Sequence, residues 1–154
     1  MSVHQKGFVP NGFEVPRVLV GAGFRLEPLG PRHNERDLAA WSGSVEHVRA
    51  TPGFVGRSWP PPEGMSAEEN LADLVRHAED FAARRGFAYS VLDGDDVIGC
   101  LYVCQGKDAP ERVNVSSWVR ADRAALDAVL YAAVTRWLAE AWPFEGERID
   151  YAAR

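Results

Sequence analysis

The sequence predicts an α+β domain: a mixed, mostly antiparallel central sheet flanked by helices, ending after the fifth strand. Three observations carry this. Residues 87–119 hold two apolar runs, at 87–92 and 97–104, and a strictly alternating one at 111–119, cut by two turn signals, "DGDD" and "QGKDAP", as a three-stranded meander would be. Residues 66–86 and 124–142 instead repeat apolar side chains at helical spacing. The second of these helices lies between apolar strands at 113–119 and 148–153. A strand–helix–strand unit of that length favours a parallel pairing of its strands.

Composition sets limits on function. The 154 residues suffice for one domain with its own core. A formal net charge of −5 is a poor basis for holding nucleic acid or an anionic membrane surface, and does not repel an amine. No apolar run approaches the ~20 residues that span a bilayer. "MSVHQKGFVPNGFEVP" lacks the apolar stretch of a secretion signal. Cys100 and Cys104 sit four apart in a strand, ~13 Å at ~3.3 Å per residue, too far to bond to each other; they read as small core residues. The expected location is the cytoplasm, and no metal is expected.

The elements follow in order. Residues 1–17 carry Gly7, Pro10, Gly12 and Pro16 and read as an irregular arm, packed on the body or on a partner. Residues 18–154 read as a single domain. "FRLEPL" at 24–29 is the first strand. "NERDLAAW" follows as a helix with Asn34 as N-cap and Leu38 and Trp41 on its apolar side. Gly43 and Ser44 interrupt it, and Ser44 caps a second short helix through Val45 and Val48. "TPGFVGRSWPPPEG" at 51–64 holds too much Pro and Gly for a helix or inner strand. Its aromatics, Phe54 and Trp59, either wall a pocket or staple the loop to the core.

Ser66 and Glu69 have the spacing of a capping box. Leu71, Leu74, Val75, Ala78 and Phe81 then form a helical stripe, with His77 beside it as a structural residue. Arg84, Arg85 and Gly86 end this helix, the last able to accept positive φ. The strands at 87–92 and 97–104 join through Asp-Gly. In "ERVNVSSWV", Val113, Val115, Ser117 and Val119 share one face; Asn114, Ser116 and Trp118 share the other. The helix from about Ala124 to Trp142 carries a wide stripe, from Leu126 to Ala141, and stops at Pro143.

This order resembles the GNAT superfamily of N-acetyltransferases, most of all the branch acting on ribosomal proteins and small amines. The resemblance rests on "FRLEPL", "DLAAWSGSVEHVRA", "FAYSVLDGDDVIGCLYV", "NVSSWVRADRAALDAVL" and "ERIDY", and spans roughly residues 18–154. It implies a GNAT-like fold with acetyl-CoA in a V-shaped gap between the strands at 113–119 and 148–153. The pantetheine arm would pair with the backbone edge at Trp118 and Val119. The pyrophosphate would lie on the turn formed by Arg120, Arg123, Ala124 and Leu126. In the family's Q/R-x-x-G-x-G/A motif small residues let backbone approach the phosphates at a helix N-terminus. Arg123 takes the Q/R position, Leu126 replaces the first glycine, and Ala128 takes the last position. Asp122, as N-cap, would compete with the phosphate for N–H groups.

Two further departures concern chemistry. Relatives often carry a Glu general base in the middle strand; the matching position is Asn114, which takes no proton at neutral pH. No catalytic residue is assigned. Relatives also continue past the last strand into elements that often hold a proton-donating Tyr. Trp41, Trp59, Asn114 and Ser116 form the candidate substrate set, with Tyr151 nearby. The expected partner is a small amine or peptide, and the open edge at 148–153 invites a homodimer. Two functions follow: an acyl-CoA-dependent N-acetyltransferase with a degenerate pyrophosphate turn, or a non-catalytic GNAT-fold protein that binds a ligand or partner.

Overall fold

The computed structural model describes residues 7–154. One sheet runs through the molecule in the order β1 (Leu19–Gly21), β2 (Phe24–Pro28), β3 (Gly86–Asp93), β4 (Asp96–Gln105), β5 (Val113–Val119) and β6 (Ile149–Tyr151). All neighbours are antiparallel except β5 and β6, which are parallel. The five strands read from the sequence are present. β1 precedes them as a short hairpin arm that pairs Leu19 with Leu26 and Gly21 with Phe24. Three residues are too few to show alternation, so the pattern does not reveal it. The β3–β4 hairpin closes from Asp93 to Asp96 with Gly94 at φ 60°, as the Asp-Gly signal predicts.

Helices α1 (Asn34–Ser42), α2 (Val45–Ala50) and α3 (Ala67–Ala82) cover one face of the sheet, and α4 (Leu126–Ala141) covers the other. The alternation of β5 divides its side chains between these layers. Val113, Val115 and Val119 join Leu130, Val134 and Leu138 of α4 in one core. Trp118 joins Trp41, Val48, Phe54 and Leu74 in the other. Residues 7–17 form no helix or strand. Val9 is buried against the α4-side core, and Tyr89 Oη donates to the Pro16 carbonyl at 2.7 Å.

The β4–β5 contact depends on a glycine. A Cβ at Gly99 would collide with the Trp118 carbonyl oxygen across the strand pair. No larger residue lets the two backbones come this close.

Several helix ends differ from the sequence reading. The capping box at α3 is formed, with Ser66 Oγ accepting from Glu69 N at 3.1 Å and Glu69 Oε1 accepting from Ser66 N at 2.8 Å. Arg84, not Gly86, takes the left-handed conformation after α3, at φ 62°; its guanidinium donates to the Pro10 carbonyl at 2.7 Å, and Gly86 already belongs to β3. Asn34 is the first residue of α1 rather than its cap, because a 3₁₀ turn at Pro31–His33 leads into the helix. Ser44 holds the N-cap position of α2 but caps nothing there. Asp122 is not an N-cap either. It lies in a 3₁₀ turn, Ala121–Arg123, and α4 starts later, at Leu126, with no side-chain cap.

Candidate functional site

A pocket of about 330 Å³ opens between α1, α3, the loop at 51–64 and the adjoining ends of β4 and β5. Strand alternation puts Asn114 and Ser116 of β5 beside Tyr102 and Cys104 of β4 on its floor. Phe54 and Trp59 supply a wall. Both readings of that loop hold together: Phe54 is 3% exposed in the core, while its ring and that of Trp59 also face the pocket. Trp59 lies against Trp41, Phe54 and Trp118, with ring centroids 5.6, 6.0 and 6.1 Å away. α3 contributes Leu74 and His77, whose ring meets that of Tyr102 at 5.7 Å.

The acids around this pocket are already engaged. Asp37 is 4% exposed. One of its oxygens accepts from Asn70 Nδ2 at 3.1 Å and the other from Cys100 Sγ at 3.3 Å. Burial raises its carboxyl above the ordinary value, and the two hydrogen bonds only partly oppose this. Asn70 is satisfied as well: its Oδ1 accepts from the Trp41 indole at 3.1 Å and its Nδ2 also reaches Asn34. Asp73 pairs with Arg76 at 3.0 Å. His77 is held below its ordinary value, first by burial and then by the Arg76 charge, so its imidazole is neutral at physiological pH.

On its other edge β5 pairs with β6 only briefly. The β5–β6 pairing covers Val113↔Ile149, Asn114↔Asp150 and Val115↔Tyr151 and goes no further. Beyond it the Ser117 carbonyl receives no strand; Arg154 Nη2 donates to it at 2.6 Å. Arg154 Nε also donates to Asp127 Oδ2 at 2.7 Å, and its side chain is 4% exposed. Asp127 Oδ1 is buried and has no partner among the described residues. Tyr151 Oη and Ser117 Oγ share a hydrogen bond at 2.5 Å, and burial pushes the phenol up to about 12.

The turn after β5 is tied down by the protein's own groups. Ser44 Oγ accepts from Ala121 N at 2.9 Å, which is where the Ser44 hydroxyl goes instead of capping α2. Arg123 N and Ala124 N donate to the carbonyls of Arg120 and Ala121. The Arg120 guanidinium grips Asp122 through two bonds of 3.0 Å and reaches Asp96 at 3.2 Å. Arg123 pairs with Asp93 at 2.9 Å. The Leu126 side chain packs on the α4-side core.

The residues predicted for substrate thus assemble in part. Trp59, Asn114 and Ser116 line one pocket, whereas Trp41 is fully buried behind Trp59 and supports it. The residues predicted for cofactor divide. Trp118 and Val119 are both 0% exposed. The Trp118 carbonyl faces Gly99 of β4 rather than the β6 side, so the predicted pairing edge falls to Ser117 and Val119 and not to Trp118. The Trp118 indole donates to Tyr102 Oη at 3.2 Å. Ala124 is exposed at the turn. Asp37, Asn70, His77, Tyr102 and Arg57 are pocket residues that the sequence did not point to. The signal for Tyr102 was present, since it alternates with Cys100 and Cys104 along β4.

No protein-family profile matches the chain, and no curated protein matches it. Solved structures do. A ribosomal L7/L12 alpha-N-protein acetyltransferase in complex with coenzyme A superimposes with a TM-score of 0.63 at 9% identity, over 80% of this chain and 66% of that one. An acetyltransferase from Thermus thermophilus gives 0.54 at 18% identity, over 79% and 71%. The microcin C7 self-immunity acetyltransferase, in complex with acetyl-CoA and AMP, gives 0.59 at 8% identity, over 77% and 62%. The chain therefore spans somewhat less than two thirds of the length of the first and third of these. Identities this low speak to architecture and not to activity. In its strand order, its parallel β5–β6 pair and its flanking helices, the chain has the fold of the GNAT acetyltransferase superfamily.

Proposed function

We propose that the chain is an acyl-CoA-dependent N-acyltransferase whose amine substrate occupies the pocket over Asn114 and Ser116. One observation carries this reading. Where β5 leaves β6, the Ser117 N–H and carbonyl have no partner strand, and the carbonyl is met instead by Arg154 Nη2, which a pantetheine amide would replace. A pantetheine arm is a chain of amides, and these groups fit it. Two solved structures of the same fold hold, by name, coenzyme A or acetyl-CoA, and one of them is an alpha-N-protein acetyltransferase.

The pyrophosphate end fits under one condition. Arg120 and Arg123 must exchange Asp122, Asp96 and Asp93 for phosphate oxygens. Exposed ion pairs of this kind are worth about 0–1 kcal/mol, so the exchange is inexpensive.

Acetyl-CoA would supply an acyl thioester: as a neutral amine forms a C–N bond, the C–S bond breaks. The sulfur leaves as a thiolate that takes up the proton lost by the nitrogen once His77 has passed it on. Asn114 and Ser116 orient the amine from the pocket floor. Trp59 and Phe54 exclude water from one side. His77, the neutral imidazole on the wall, accepts the proton that the nitrogen loses.

A second reading is a non-catalytic ligand-binding protein. The Arg154 guanidinium at the Ser117 carbonyl favours it, because that group stands where the pantetheine arm must pair. Thermal unfolding with millimolar acetyl-CoA separates the two. At ~100 times Kd a ligand adds ~2.7 kcal/mol, a clear rise in Tm. The transferase reading expects this rise, with a reduced one in Arg123→Ala. No rise leaves the second reading.

A further inference from the structure

We propose that the pocket selects an amino-acid-like ligand, an amine joined to an apolar body and a carboxylate, and that Arg57 is the specificity residue holding the carboxylate. As an assignment of acceptor class, this rests on the N-acyltransferase reading above.

The charges on the pocket wall are unevenly paired. Asp73 is paired with Arg76, and the oxygens of buried Asp37 are taken up by Asn70 and Cys100. His77 is neutral. Arg76 is neutralised by Asp73. The Arg57 side chain makes no ion pair or hydrogen bond among the described residues; its guanidinium stands over the Phe54 ring, 5.4 Å from the centroid. Its charge reaches the floor: burial and then the Asp80 charge raise the Cys104 thiol, and the Arg57 charge opposes them. Among the described residues, Arg57 is therefore the one cation on the wall without a carboxylate partner. It repels a polyamine and attracts an anion, and a guanidinium matches a carboxylate in geometry as well as sign.

The other parts of the ligand follow from the remaining surfaces. Phe54, Trp59, Leu29 and Leu74 offer apolar area to a hydrophobic body. The side chains of Asn114 and Ser116 have no hydrogen-bond partner among the described residues and await a polar group, here the amine. Loop and floor are close: a Cβ at Gly53 would lie 3.9 Å from Ser116 Cβ. Arg57 and Ser116 thus belong to one small site.

Calorimetric titration without acetyl-CoA tests this. L-Phenylalanine, L-leucine and L-methionine are compared with phenethylamine, which lacks the carboxylate, and with spermidine. At least one amino acid binds, and phenethylamine and spermidine bind about tenfold more weakly or not at all. Arg57→Ala, an exposed loop substitution, abolishes the preference, and Arg57→Lys restores part of it. Tighter binding of phenethylamine or spermidine overturns the proposal, as does an unchanged preference in Arg57→Ala or failure of all three amino acids to bind. Such a failure alongside an intact acetyl-CoA stabilisation rejects this substrate class and keeps the transferase. Amino-acid binding with no acetyl-CoA stabilisation rejects the transferase and keeps the pocket.

Discussion

Arg154 and His77 decide most at the scale of single residues. Arg154 is a buried cation spending its donors on Ser117 and Asp127, on the edge a pantetheine arm needs. Arg154→Ala uncovers the Ser117 carbonyl and should lower the Kd for acetyl-CoA about tenfold, the worth of one charged hydrogen bond. The same change strands Asp127, so Tm without ligand should fall. His77 makes a different prediction. Its imidazole is held below the usual 6.5, so the base form prevails at neutral pH and is lost as pH falls below that value. The rate should show an acidic limb below pH 6.5. His77→Gln should remove that limb and lower turnover about 10²-fold, read from pH–rate profiles. Asn114 and Ser116 were legible in the sequence because strict alternation put them together on one face. His77 was not, because a histidine beside an apolar stripe looks structural until Tyr102 is seen under its ring. Arg57 could not be found by spacing at all, since a Pro- and Gly-rich loop has no period.

Elements explain why the site has its shape. β5 serves both sides: its even positions floor the pocket and its far edge runs past the end of the β6 pairing. Gly99 holds β4 against it, and Gly99→Ala should force the strands apart at a cost of about 1–3 kcal/mol, measured by urea unfolding. The corner between β2 and α1 is pH-sensitive. Buried His33 accepts from Gly30 N at 3.2 Å through Nδ1, and its Nε2 lies 3.3 Å from Glu27 Oε1. Burial, with help from the Arg32 charge, lowers its pKa in the folded state. The unfolded chain then holds the proton more readily, so this contribution is whole above pH 6.5 and drains away as pH falls below it. Urea midpoints should drop between pH 7.5 and 5.5, and less so in His33→Gln. The meander, α3 and α4 could be read from the sequence because their patterns are long and regular. The start of α4 could not. It depends on Ser44, far away in the chain, taking the Ala121 N–H and leaving Asp122 to Arg120.

The molecule as a whole is a sheet between two cores; the pocket lies over the paired strands β4 and β5, and the β5–β6 pairing ends at Val115 and Tyr151. Leu130, fully buried under the sheet, holds α4 in place, and with it Asp127 beside Arg154. Leu130→Ala should cost about 2–5 kcal/mol and weaken acetyl-CoA binding together with stability. In the proposed function an acyl-CoA enters beside β5, along the edge that β6 leaves unpaired. The backbone N–H and C=O of one strand residue point the same way in an antiparallel pair, so the Ser117 amide faces that edge with its carbonyl. Hydrogen exchange at Ser117 with and without millimolar acetyl-CoA tests the claim most directly. Binding should slow exchange at Ser117 and leave the amides of β3 unchanged. Exchange at Ser117 that is the same with and without acetyl-CoA would contradict it.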